Sequence, residues 1–116
     1  MIRVENRKNY RGAGVYVGRS MRDLQGSVLG NPFKVKPHGP HERAESVELY
    51  RRWLWEHLRH GAGDVYEEVV RLKNLAAQGD LTLVCWCVPL PCHGTIIAKA
   101  IQWLIEQEDK KHASEI

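Results

Sequence analysis

The sequence predicts a small three-layer α/β domain, with a mostly parallel central sheet flanked by helices. Three observations point there. The elements read in the order strand, strand, long irregular stretch, helix, helix, strand, helix. The run Leu81-Thr82-Leu83-Val84-Cys85-Trp86-Cys87 is almost continuously apolar, as a strand buried on both faces is. The 116 residues suffice for one hydrophobic core and are too few for two ordinary domains. One domain over residues 1–108 is expected, followed by a polar tail over 109–116.

Ile2-Arg3-Val4-Glu5-Asn6 alternates apolar and polar residues and reads as a short strand. Asn9 to Gly14 is a polar connection. Val15-Tyr16-Val17 is rich in strand formers and is stopped by Gly18, which gives the second strand. Residues 18–40 hold Gly18, Gly26, Gly30, Asn31-Pro32, Pro37, Gly39 and Pro40, a long irregular stretch of the kind that serves a function or moves. Residues 41–60 carry Val47, Tyr50, Leu54 and Leu58 on one helical stripe, which Leu49 and Trp53 widen. Gly61-Ala62-Gly63 ends that helix. Asp64 is the expected N-cap of a second helix over 65–77, whose face is Val65, Val69, Leu72 and Ala76. The 81–87 strand is expected at the centre of the sheet. Val88-Pro89-Leu90-Pro91 forms a rigid turn, because proline cannot continue a ladder. A third helix is expected over roughly 95–107, with Ile97, Ala100, Ile101 and Leu104 buried and the residues beyond it frayed.

Composition excludes several classes. No apolar run approaches the roughly 20 residues of a membrane helix, so no membrane partner is expected. The first residues lack the apolar core of a signal peptide. Three cysteines cannot form a purely intrachain disulfide framework. A reducing cytoplasm is the expected compartment. The net charge of +3 is uneven: residues 1–37 hold eight basic and two acidic residues, net +6, and the remainder nets −3. A basic N-terminal third is what a nucleic-acid contact through residues 1–37 would use.

The strongest chemical constellation is Cys85-Trp86-Cys87-Val88-Pro89-Leu90-Pro91-Cys92-His93-Gly94. Strand geometry puts Cys85 and Cys87 on one face and Trp86 on the other. Cys92 and His93 then open a helix, where free backbone N–H groups and positive potential attract anions and favour a thiolate. Cys92 is the leading nucleophile, Cys87 the second, and His93 the base or phosphate donor. Two other readings stay open. Cysteine is also a small buried hydrophobe, so Cys85 and Cys87 can belong to the core while His93 helps to cap the helix. Cys85, Cys87, Cys92 and His93 also make a Cys₃His set, for which zinc is the natural ion. The single residue between the first two cysteines and the adjacency of Cys92 to His93 fit that set poorly. No cofactor is favoured.

The second constellation runs from Val15-Tyr16-Val17-Gly18-Arg19 to Gly26-Ser27-Val28-Leu29-Gly30-Asn31-Pro32-Phe33. Gly18 and Gly30 let backbone approach a ligand, and Arg19 presents a fork that grips phosphate or carboxylate. Asn31 offers an amide to a base or sugar. Alone, these are ordinary turn residues. If the 15–17 strand lies parallel beside the 81–87 strand, both loops meet at one sheet edge. Trp53, Trp55 and Trp103 are expected in core or interface positions, and His38, His41, His57 and His60 lack a metal-ligand pattern. Arg51-Arg52 reads as a solvated face and Tyr50 as core.

Together the two constellations resemble a family of bacterial and phage proteins designated domain of unknown function 4326. The matching stretches are Tyr16-Val17-Gly18-Arg19, Gly26 to Phe33, Tyr50-Arg51-Arg52-Trp53-Leu54 and Cys85 to Gly94. The family's pattern is similar to a "YIGR" strand, a "GSPLGNPF" loop, a "YRRWL" helix and a "CWC-x-PLPCHGD" turn. This chain departs from it at Val28, where proline is common, and at Thr95, where an acid often follows the glycine. A role of that acid does not carry over. The turn is also similar to the strand-end cysteine and "CHR" helix start of domain of unknown function 488. The resemblance implies a fold and a shared pocket but supplies no reaction.

The expected function is a pocket for a small anionic, phosphorylated or nucleotide-like ligand. Gly18, Arg19, Gly30, Asn31 and Gly94 would bind it, and Cys92, His93 and Cys87 would carry out hydrolysis or group transfer. The alternatives are a non-catalytic nucleic-acid-binding module and a metal-stabilised structural domain.

Overall fold

The computed structural model describes residues 1–21, 24–86, 88, 90 and 92–115, the side chains of 112–115 excepted. The elements are β1 (Ile2–Asn6), β2 (Val15–Tyr16), α1 (Arg43–His60), α2 (Asp64–Gln78), β3 (Leu81–Cys85) and α3 (His93–Glu115). The sheet has the order β1-β3-β2, and both pairings are parallel. Residues 81–85 of the apolar run form the central strand of a small α/β fold; the strand ends at Cys85, Trp86 falls beyond it, and Cys87 lies outside the described residues. Ile2 lies opposite Leu81 and Asn6 opposite Cys85, while Val15 and Tyr16 face Leu83 and Val84. Two further bonds extend the ladders: Arg7 N–H donates to the Cys85 carbonyl (2.7 Å) and Val17 N–H to the Val84 carbonyl (3.0 Å).

The period of two along β3 divides its side chains between two environments. Leu81, Leu83 and Cys85 join one hydrophobic core with Tyr50, Leu54 and Leu58 of α1, Val65, Val69 and Leu72 of α2, and Ile96, Ile97, Ala100 and Ile101 of α3. All three helices thus supply the core on that face. The opposite face, with Thr82 and Val84, lies under the connection between β1 and β2. Gly14 passes so close that a Cβ there would meet Val84 Cγ2 at 2.9 Å and the Thr82 carbonyl oxygen at 3.0 Å. The layer on that side is a loop, which closes a parallel β1–β2 link without a helix.

The helix ends follow local chemistry. Gly61 closes α1 in the left-handed region (φ 72°), its N–H donating to the His57 carbonyl at 3.2 Å. Gly63, not Asp64, is the N-cap of α2, and Asp64 begins the helix with its carboxylate accepting from Val65 N–H at 2.9 Å. The largest departure is α3, which continues through the polar segment expected to fray. Residues 106–115 hold three Glu and two Lys with one Gln and one Ala, good helix formers without an apolar stripe to announce them. An ion pair between Lys73 of α2 and Glu108 (2.8 Å) ties the extension to its neighbour. No helix among the described residues is long and apolar enough to cross a membrane.

Gly94 sets the fit of α3 against the sheet. It is the second residue of α3, and a Cβ there would lie 2.9 Å from Val4 Cγ1 and 3.6 Å from Cys85 Sγ. Val4 is β-branched and stiff, so it yields poorly. Gly94→Val is expected to cost about 1–3 kcal/mol through overpacking, despite valine's better helix propensity. A urea titration checks this: a midpoint equal to wild type would mean that the helix start moves freely.

Candidate functional site

β2 and β3 run parallel side by side, so the two loops at their C-terminal ends converge. This is the condition on which the two sequence constellations could form one site. Between the loops opens a cavity of about 250 Å³. Gly18, Arg19, Asn31, Cys92 and His93 all line it. The expected residues Gly30 and Gly94 stand behind the wall. Gly30 packs on Gly18 and Arg19, where a Cβ would meet Arg19 Cγ at 3.1 Å, and Gly94 packs on Val4. Both make close packing contacts and neither is among the residues that line the cavity. Cys87 lies outside the described residues.

The Cys-His pair is the chemical centre. Cys92 is buried at the start of α3, with 1% of its surface exposed. Its sulfur lies 3.6 Å from His93 Nδ1 and accepts a hydrogen bond from Gly94 N–H at 3.4 Å. His93 Nε2 is 2.8 Å from the Val17 carbonyl oxygen. A carbonyl only accepts, so Nε2 carries the proton, and in the neutral ring Nδ1 presents its lone pair to the Cys92 thiol. The Tyr50 ring meets the imidazole edge-on, with centroids 5.1 Å apart, and fixes its plane. The result is a buried thiol at a helix N-terminus with an oriented imidazole nitrogen at its side.

Cys85 shares this environment. Its sulfur is 3.1 Å from that of Cys92, and its side chain is fully buried in the core. The hydrophobe reading therefore describes its burial, though not its neighbour. A Cys₃His zinc set would also need Cys87. Among the described residues no group of three potential ligands converges on one point.

Asn31 does more structural work than the sequence suggested. Its Nδ2 donates to Ser46 Oγ (2.8 Å) and its Oδ1 accepts from Phe33 N–H (2.8 Å). Ser46 Oγ in turn donates to the Phe33 carbonyl (2.5 Å). This closed circuit pins the 30–33 turn to α1 and leaves Asn31 one N–H for a ligand. Arg19 donates to the Asn31 carbonyl at 3.2 Å while remaining exposed, so its guanidinium keeps further donors at the cavity. Tyr16 hydroxyl donates to the Arg19 carbonyl (2.7 Å) and accepts from Trp86 Nε1 (3.0 Å), bracing the same wall.

Sequence reasoning missed Lys36, His38, Arg43 and Ser46, all of which line the cavity. Lys36 and Arg43 join Arg19 as cationic residues at the cavity. Lys36 also meets Glu42 at 2.8 Å in an exposed pair, which contributes little binding energy of its own. Only Ser46 left a trace in the sequence. It stands four residues before Tyr50 on the buried α1 stripe, where a hydroxyl needs a partner. The other bases of the N-terminal third are divided: Arg7 and Arg11 line a separate groove with Tyr10 and Gly14, beside Val84 on the loop-covered face.

Tyr50 is fully buried, and its hydroxyl donates to the Leu29 carbonyl at 2.6 Å, holding the glycine-rich loop to α1. Burial, and then the nearness of negative charge on Cys92, hold its phenol far above the ordinary range. A raised folded-state pKa means that the stabilisation is complete below the unfolded pKa of about 10 and is lost as pH rises above it. Tyr50→Phe is expected to cost about 1–3 kcal/mol at neutral pH by leaving the Leu29 carbonyl without its donor. It should also flatten the alkaline fall in stability above pH ~10. Equal alkaline slopes for variant and wild type in thermal melts would contradict this.

The 18–33 loop and the start of α3 meet at one cavity, as the parallel pairing of β2 with β3 requires. The family of domain of unknown function 4326 matches over residues 2–103. The chain belongs to that family. The match covers every element that builds the cavity and stops within α3, before its polar extension. No curated protein and no solved structure matched the chain.

Proposed function

We propose that this member of the family binds a small phosphorylated or nucleotide-like anion in the 250 Å³ cavity and acts on it by hydrolysis or group transfer. One observation carries the reading: Cys92 and His93, whose sulfur and Nδ1 lie 3.6 Å apart, border the same cavity as Arg19, Lys36 and Arg43. Guanidinium and ammonium groups suit phosphate oxygens. Tyr16, Phe33 and Trp86 add the flat apolar surface that a base or ring would use.

The chemistry follows from the tautomer. His93 Nδ1 takes the Cys92 proton as the sulfur bonds to the electrophilic centre of the ligand. The bond to the leaving group breaks, and the imidazolium returns the proton to it. Water, or an acceptor hydroxyl, then gives its proton to Nδ1 and displaces the sulfur. Nε2–H stays on the Val17 carbonyl throughout and keeps the ring in place.

Calorimetric titration of wild type and Arg19→Ala with inorganic phosphate and a panel of nucleoside monophosphates tests the binding. Arg19→Ala is expected to weaken affinity about tenfold or more, the worth of a charged hydrogen bond. Equal affinities, or no binding by folded wild-type protein, would remove the proposal. Cytoplasmic residence belongs to the same reading and is supported by the odd cysteine count and by the free thiols of Cys85 and Cys92.

A further inference from the structure

We infer that Cys85 and Cys92 form a reversible disulfide under oxidation, and that the bond silences the site. The two sulfurs stand 3.1 Å apart, on the end of β3 and the start of α3. A disulfide needs about 2.05 Å, so closure takes roughly one ångström of sulfur movement, within reach of side-chain rotation. Both side chains are buried in the core, Cys85 at 0% and Cys92 at 1% exposure, and of the two Cys92 is the residue that also borders the cavity. A small oxidant entering the cavity meets Cys92 first.

With a hydroperoxide as oxidant the steps balance. The Cys92 proton moves to His93 Nδ1, and the thiolate attacks the peroxide oxygen. The O–O bond breaks, giving the sulfenic acid of Cys92 and, from hydrogen peroxide, water. The Cys85 thiol then attacks the Cys92 sulfur, the S–O bond breaks, and a second water leaves with the Cys85 proton. Two hydrogens are lost from the protein. A dithiol reductant restores both thiols.

The burial of Cys85 makes it a resolving thiol that needs no exposure of its own. It also stops oxidation at the disulfide, before the irreversible acids. Bond formation does not depend on which ligand the cavity takes. Its consequence for activity rests on the proposed role of Cys92.

The test is stoichiometric hydrogen peroxide on the full chain, followed by intact mass and non-reducing chymotryptic mapping. Cleavage after Trp86 separates Cys85 from Cys92 and leaves Cys87 and Cys92 in one peptide. The expected result is a loss of about 2 Da, reversed by dithiothreitol, with the two peptides cross-linked and Cys87 alkylated. Cys87→Ser is expected to keep the mass loss, and Cys85→Ala to abolish it and give overoxidised Cys92 instead. A Cys87–Cys92 bond, or overoxidation of wild type without a disulfide, would overturn the inference. A disulfide that forms while phosphate and nucleotide binding are absent would overturn the proposed function and leave the disulfide standing.

Discussion

Cys92→Ala is expected to lower turnover by about 10³-fold or more, while the protein stays folded. Among the described residues that line the cavity, Cys92 combines a nucleophilic atom with an adjacent oriented base. Removing the sulfur leaves His93 on the Val17 carbonyl and the cationic residues at the cavity in place. Binding should therefore persist where turnover fails, a separation that marks loss of chemistry rather than of the pocket. Loss of one buried sulfur without change of backbone should cost at most about 2 kcal/mol. The check is a screen of phosphorylated and nucleotide substrates with wild type and variant side by side. A variant that turns over any of them at the wild-type rate would show that Cys92 serves as a packed hydrophobe.

Leu83→Ala is expected to have the largest effect on stability. Leu83 occupies the middle of the central strand, and its side chain is fully buried against residues of the helices. Deleting its branched end removes transfer free energy and leaves a cavity flanked by β1 and β2, which cannot both close in. The expected cost is about 2–5 kcal/mol, a large part of the roughly 5–15 kcal/mol available to a domain. Leu75 on α2 is 38% exposed, and its alanine variant should stay within about 0.5 kcal/mol of wild type. Urea titrations of both variants check the contrast. Equal midpoints would mean that the helices and the sheet do not share one core.

What the sequence revealed and what it hid divide along physical lines. β3 was legible because its apolar run, bounded by Gly79 and Pro89, is the right length for a buried strand and too short for a helix. The convergence of the two loops hung on one condition, that β2 pairs in parallel with β3, and no local pattern encodes which strands become neighbours. Asn31 and Ser46 illustrate what stayed hidden. Their bond joins residues fifteen apart across an irregular stretch with no period to read. Lys36, His38 and Arg43 reach the cavity because that stretch folds back, with an isolated bridge between Val35 and His41. The 3.1 Å approach of Cys85 to Cys92 follows from the docking of α3 over β1 and β3 through Gly94, a tertiary fact.

Under the proposed function, the cavity between β2, β3 and the start of α3 binds a phosphorylated ligand. Two-dimensional amide NMR of the wild-type chain, titrated with inorganic phosphate and then with nucleoside monophosphates, addresses it directly. Saturable shifts at Gly18, Arg19, Asn31 and His93, removed by Arg19→Ala, are the predicted result. Shifts confined to the Arg7–Arg11 groove on the opposite face, or no saturable shift with any of these compounds, would contradict it.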